Sequence, residues 1–149
     1  VMTALDMPQN SIDLLQQVNT IVHQAGAALG KMGFAVTEIA LPTVTCVLPF
    51  HPSQIRPGNT ISGPTMMLLA DAAMYALVLA CDPDKPFAVT QDLHIHFLSR
   101  PEPADLTAVA TLLKPGKRTR VMRVDIYSGE KLVAHATGSY ALVNVGGAG

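Results

Sequence analysis

An α+β fold, with an antiparallel sheet wrapped around one long central helix, is predicted by three features of the sequence. The first is the stretch 65–81, apolar around nearly its whole circumference, which has to be surrounded on most sides if it is helical. The second is the row of four extended stretches after it, 87–99, 104–113, 118–128 and 131–143, separated by Pro-Glu-Pro, Lys-Pro-Gly and Ser-Gly-Glu turns. The third is size: 149 residues, 49% apolar and 14% charged, suit one domain that can bury a core. That domain is expected to run over 1–149, with 1–10 irregular or disordered, 11–32 an N-terminal helix and 34–143 the core.

From Ser11 onward, Ile12, Leu15, Val18, Val22, Ala25 and Leu29 recur along one helical face, with Ser11 suited to cap the start and Gly30 and Gly33 to end it. Residues 34–50 are extended and β-branched, interrupted at Pro42, which predicts two strand segments with a kink. Residues 51–60 carry two prolines, a glycine and an asparagine and read as a loop with no regular element. Ser62-Gly63-Pro64 then opens the long helix, and Asp82-Pro83 ends it. In the next stretch Leu93, Ile95 and Phe97 alternate with Asp92, His94 and His96, so the first set is expected to pack on the helix. The last strand alternates Leu132, Ala134, Ala136, Gly138 and Tyr140 with Val133, His135, Thr137 and Ser139, and its small residues would let a helix lie close. The last two strands form an expected hairpin.

Composition excludes several functions. Eleven acidic and ten basic residues give a net charge of -1, without the basic excess of a general nucleic-acid binder. Mean hydropathy is +0.32, yet the longest apolar stretch carries Asp71 at its middle and is shorter than a usual membrane span. Cys46 and Cys81 lack metal-ligand spacing and an activating neighbourhood, and no leader pattern opens the chain, so a cytoplasmic protein with reduced thiols is expected. His94 and His96 stand at i and i+2 without an evident third ligand, and His23, His51 and His135 add no spacing, so no metal or cofactor is expected. Neither a phosphate-binding glycine loop nor a Gly-x-Ser-x-Gly elbow is present.

Asp71 is the residue that composition does not explain. It is flanked by Met66, Met67, Leu68, Leu69, Ala70, Ala72, Ala73 and Met74, and burying such a carboxylate unpaired is costly. It is either hydrogen-bonded to another strand or subunit, or it is a catalytic base or nucleophile. At the helix start, Ser62 can cap, Pro64 suits the first turn, and Gly63 lets a ligand approach amides that would stabilise an oxyanion. Nine residues of helix between Ser62 and Asp71 span about 13.5 Å, too far for both to touch one carbonyl. Two antiparallel copies side by side in a dimer would bring the start of one helix to the middle of the other. The basic run Lys114-Pro-Gly-Lys117-Arg118-Thr-Arg120, with Arg56 and Asn59 as possible additions, suits either a solvated turn or a phosphorylated ligand.

The segment Arg56-Pro-Gly-Asn-Thr-Ile-Ser-Gly-Pro-Thr-Met-Met-Leu-Leu-Ala-Asp-Ala-Ala resembles the helix start of hotdog-fold acyl-CoA thioesterases of the PaaI-like type. Val89-Thr-Gln-Asp-Leu-His-Ile-His-Phe-Leu-Ser-Arg-Pro is similar to that family's third strand and Gly138-Ser-Tyr-Ala-Leu to its closing strand, so the resemblance covers about residues 34–143. It implies a hotdog fold, homodimers joined edge to edge and active sites between subunits; whether dimers pair further into tetramers, through an outer sheet face with His94, His96, Val133 and His135 as candidate contacts, is left open. It also implies that Asp71 is the catalytic carboxylate, that the Gly63 N–H polarises the thioester carbonyl and that Thr90 helps place the attacking water. Lys117, Arg118 and Arg120 fall where relatives contact the nucleotide phosphates of coenzyme A. Ser62 stands where many members have the histidine of His-Gly-Gly, and Arg56 where an asparagine is common. The implied activity is hydrolysis of an acyl-CoA to free acid and coenzyme A. A non-catalytic acyl-CoA-binding module and a thioesterase acting on acyl carrier protein are the alternatives, and Met66, Met67, Met74, Tyr75 and Val78 offer an adaptable apolar lining.

Overall fold

The computed structural model of the chain describes residues 9–143, so the expectation for residues 1–8 lies outside them. Two helices come first, α1 (Gln9–Ala25) and α2 (Ala27–Lys31). The single helix expected over 11–32 therefore starts earlier and is broken. Ser11 lies inside α1 and does not cap it, and Gly30 lies inside α2. The break falls at Gly26, whose φ of -130° and ψ of 83° leave the helical region. Gly33, at φ +79°, does turn the chain out of α2 as expected.

Strands β1 (Ala35–Ala40) and β2 (Thr43–Leu48) form an antiparallel hairpin, so Pro42 marks a full reversal where a kink was expected. Residues 51–60 are also more regular than their composition suggests. A 3-10 turn at Pro52–Gln54 is capped by His51, and β3 (Ile55–Arg56) pairs with β4 (Thr60–Ile61). Gly58 and Asn59, with φ of 100° and 57°, make the reversal between them.

Helix α3 (Gly63–Cys81) is followed by β5 (Val89–Phe97), β6 (Leu106–Pro115), β7 (Thr119–Ser128) and β8 (Lys131–Ala141). Six strands join in one antiparallel sheet in the order β1-β2-β6-β7-β8-β5. The sheet wraps α3, whose Leu69, Ala70, Ala73, Met74, Leu77 and Val78 are fully buried, and α1 covers it further with Val18 and Val22. By length and apolarity α3 could cross a membrane, but here those properties serve a core. Close approach is enforced at Gly138, where an added Cβ would lie 2.9 Å from the Met74 sulfur and 2.6 Å from the Asp92 carbonyl oxygen. This is the α+β hotdog arrangement expected from the sequence.

The sheet has two unlike edges. On β1, the Asn19 side chain of α1 donates from Nδ2 to the Val36 carbonyl at 2.9 Å and accepts from the Val36 N–H at 2.8 Å. One side-chain amide thus satisfies both backbone groups of an edge residue, and a register shift between Val36 and Glu38 further interrupts that edge. On β5 the ladder to β8 also carries a bulge, because Thr90 pairs with Tyr140 while Asp92 pairs with Ser139, leaving Gln91 as the extra residue. Both Gln91 and Asp92 accept hydrogen bonds from Ser139 Oγ, at 3.3 and 3.1 Å.

Candidate active site

Asp71 sits in the middle of α3, half-buried, and two hydroxyls converge on its Oδ1. Thr90 Oγ1 donates at 2.7 Å from β5, and the Tyr140 hydroxyl donates at 2.6 Å from β8 while lying 3.0 Å from the Asp71 carbonyl oxygen. Strict alternation from Leu93 would turn Thr90 away from the helix, and the bulge at Gln91 brings it back. Burial, followed by the bond to Asp71, holds the Tyr140 hydroxyl protonated well above its ordinary range, so it acts as a fixed donor. With Oδ1 doubly bonded, Oδ2 is the oxygen of Asp71 left for a substrate or water. Sequence reasoning places Tyr140 only on a small-residue strand face; its signal was its position opposite the helix in the segment that resembles the family's closing strand.

Gly63 begins α3. Of the first-turn amides, Pro64 has no N–H, and Thr65 donates to Ser62 Oγ at 3.4 Å, the Ser62 hydroxyl being further engaged with Thr65 Oγ1 at 2.8 Å. Among the described residues this leaves the Gly63 N–H as the donor at the helix start without a partner. It opens into a cleft of about 380 Å³ lined by Gly63, Met66 and Phe97 and bordered by Arg56 and Arg100. The Phe97 ring closes over the glycine, 3.3 Å from where a Cβ would stand. Gly63 and Asp71 are eight residues apart, about 12 Å of helix, and within one chain they face different clefts.

The basic residues expected to bind phosphate do not gather in one chain. Arg56 and Asn59 are exposed on the β3–β4 hairpin at the start of α3, and Asn59 serves the turn through its left-handed backbone. Lys117 and Arg118 are exposed in the β6–β7 turn, toward the far end of α3, about 27 Å away along the helix axis. Arg120 departs from the expected group: it forms an ion pair with Asp82, at the C-terminal cap of α3, and its side chain is mostly buried. A helix C-terminus attracts a guanidinium, and here that attraction keeps it from a ligand. Arg100, at the Gly63 cleft, was not anticipated; its position just beyond the β5 stretch was the available signal.

The other candidate groups are structural. His23 Nε2 lies 2.6 Å from the Phe34 carbonyl oxygen, His51 caps the 3-10 turn, and His135 Nδ1 lies 2.6 Å from Asp125 Oδ1. His94 Nε2 and His96 Nε2 are 3.1 Å apart on the exposed sheet face. Among the described residues, no group of three His, Cys, Asp or Glu could hold a metal ion. Burial pushes the Cys46 thiol up to about 12, away from nucleophilic chemistry, and burial also raises Cys81.

An antiparallel sheet wrapped on one long helix is the hotdog arrangement. A family model of the thioesterase superfamily matches residues 58–135, and the chain belongs to that superfamily. A solved structure from Silicibacter sp. TM1040 that carries a thioesterase assignment is 30% identical, covering 85% of this chain and 90% of its own at a TM-score of 0.76. A thioesterase from Haemophilus influenzae shares the fold at 18% identity and a TM-score of 0.78, over 89% of this chain and 92% of its own. The phenylacetic acid degradation protein PaaI from Thermus thermophilus, in a mutant form, shares it at 21% identity and a TM-score of 0.70, over 78% of this chain and 99% of its own. Among curated proteins no match is found.

Proposed function

We propose that this protein is an acyl-CoA thioesterase whose site is completed by two copies of the chain, in the cytoplasm. The observation that carries the reading is the pair of hydroxyl donors on Asp71 Oδ1, which fixes the carboxylate and leaves Oδ2 to act. Asp71 Oδ2 takes a proton from water, and the water oxygen bonds to the thioester carbonyl carbon. Negative charge gathers on the carbonyl oxygen, where the Gly63 N–H of the other copy donates to it. Collapse breaks the C–S bond, and the leaving sulfur takes the proton from Asp71, giving free acid and coenzyme A. Arg56, and Arg100 beside it, supply positive charge for the phosphates of coenzyme A at the Gly63 cleft, and Lys117 and Arg118 approach the same cleft from the other copy. Ser62 contributes by capping the helix so that Gly63 holds its place.

The test is thiol release from a panel of short, medium, long and aryl acyl-CoAs. Asp71→Asn is expected to lower turnover by about 10²- to 10⁴-fold with an unchanged thermal midpoint. An Asp71→Asn protein that keeps full activity overturns the assignment of Asp71. Tight binding of acyl-CoA with no thiol released by the unaltered protein identifies a non-catalytic binding module.

A further inference from the structure

Asp92, His94 and His96 stand exposed on the outer face of β5, away from the core that Leu93 and Ile95 pack against, and the catalytic steps leave them unused. The two imidazoles already converge. His94 Nε2 and His96 Nε2 are 3.1 Å apart, with the ring centroids at 4.7 Å, so one shared proton joins them. Two nitrogens held about 2.0 to 2.1 Å from a tetrahedral zinc ion stand about 3.3 to 3.4 Å apart, so a cation in place of that proton requires only a small adjustment. One chain nevertheless stops short of a site. His135, opposite His96 on the ladder, has its Nδ1 2.6 Å from Asp125 Oδ1, and no group of three His, Cys, Asp or Glu among the described residues could hold a metal ion.

A second copy supplies the missing ligand. Thr90 marks the level of Asp71 and Phe97 the level of Gly63, and on the ladder they stand opposite Tyr140 and Ala134 of β8. A dimer that carries Asp71 of one copy to Gly63 of the other therefore sets Thr90 of one against Phe97 of the other, along two antiparallel β5 edges. The two-fold axis then falls midway, at the level of Thr137, which is the ladder partner of His94. Asp92 and His96, opposite Ser139 and His135, are equally far from that level, so Asp92 of one copy faces His96 of the other on the same sheet face. Side chains opposed in this way have Cβ atoms about 4.5 to 5.5 Å apart. Ser139 Oγ donates to Asp92 Oδ1 at 3.1 Å and steadies the carboxylate. We propose that each His94–His96 pair, together with Asp92 of the other copy, binds a zinc ion, so that two ions tie the β5 joint in one register. Two imidazoles and a carboxylate suit zinc, whereas magnesium and calcium take oxygen ligands. The inference rests on the two-copy site of the thioesterase reading and adds a structural metal that holds Asp71 opposite Gly63.

The experiment titrates zinc by calorimetry into the full chain stripped of metal, with magnesium as the control. Thiol release is measured in parallel, and thermal midpoints check folding. About one zinc per chain is expected. Ser139→Ala should weaken zinc binding about 10- to 100-fold, the usual effect of losing a group that orients a ligand, and Asp92→Asn or the double variant His94→Ala, His96→Ala should weaken it further. The deciding sample mixes Asp92→Asn chains with chains of the double histidine variant. A mixed dimer pairs the intact histidines of the first with the intact Asp92 of the second, so tight binding should return at about one zinc per four chains after subunit exchange. No binding of zinc, binding that ignores Asp92→Asn, or a mixture that recovers nothing overturns the site. Thiol release that persists where zinc does not bind leaves the thioesterase reading standing while this one falls. Zinc binding that recovers in the mixture without any thiol release defeats hydrolysis and keeps the metal site.

Discussion

The two edges of the sheet end in opposite ways. At β1, six residues long, the chain supplies its own closure: Asn19 of α1 takes the place of a neighbouring strand at Val36, and a bulge twists what remains. At β5, nine residues long, no described element covers the outer side, and Val89 and Phe97 are 52% and 50% exposed. Long bare edges invite another strand, so a chain that guards one edge and leaves the other open has one side prepared for a partner. The open edge also carries Thr90, which holds Asp71, and ends at Phe97, which covers Gly63. In the proposed dimer, assembly and catalysis would meet on the same strand.

The sharpest way to break this contrast is to charge the open edge. Val89→Lys with Phe97→Lys should leave the fold intact and convert a dimer to a monomer, because burying two unpaired ammonium groups in a strand joint is strongly unfavourable. Sedimentation reads the outcome, and an unchanged mass would show that β5 is not the joint. At the closed edge, Asn19→Ala removes two hydrogen bonds to one backbone residue and should cost about 2 kcal/mol in urea unfolding, with no change in mass. A third effect appears only at alkaline pH and concerns Cys46, fully buried on β2 and paired with Val36 of that closed edge. Its folded value of about 12 exceeds the ordinary 9.0 because burial disfavours the thiolate. The stability it contributes is complete below pH 9.0 and is lost as pH rises toward 12. Thermal midpoints measured between those limits should fall less steeply in Cys46→Ala than in the parent chain.

The central helix and the late strands were legible because their signals are local: an apolar circumference at 65–81 and turn residues between alternating stretches. The β3–β4 hairpin was not, since a two-residue strand has too little alternation to register, and proline and glycine dominate its composition. The Gly26 break was hidden for another reason: a glycine inside a periodic stretch fits both a continuous helix and an interrupted one. Asp71 stood out in the sequence by its apolar flanks, but its two donors lie 19 and 69 residues away, beyond the reach of any periodicity. The fate of Arg120 was equally remote, set by an aspartate 38 residues earlier at the far end of the helix.

The bulge at Gln91 acts as a phase shifter. With a period of two, one extra residue exchanges the faces of everything upstream, and bulging Gln91 out of the ladder is what keeps Thr90 in phase with Tyr140 and Asp71. Forcing Gln91 into the regular ladder would keep Thr90, Tyr140 and Asp71 in the chain and point the threonine away from the helix, whereas deleting Gln91 would leave Thr90 opposite Tyr140 in plain alternation. At this end of β5 the site is thus written in how residues are paired as much as in their chemistry, and a chain one residue shorter there could hold the threonine in the same place without a bulge.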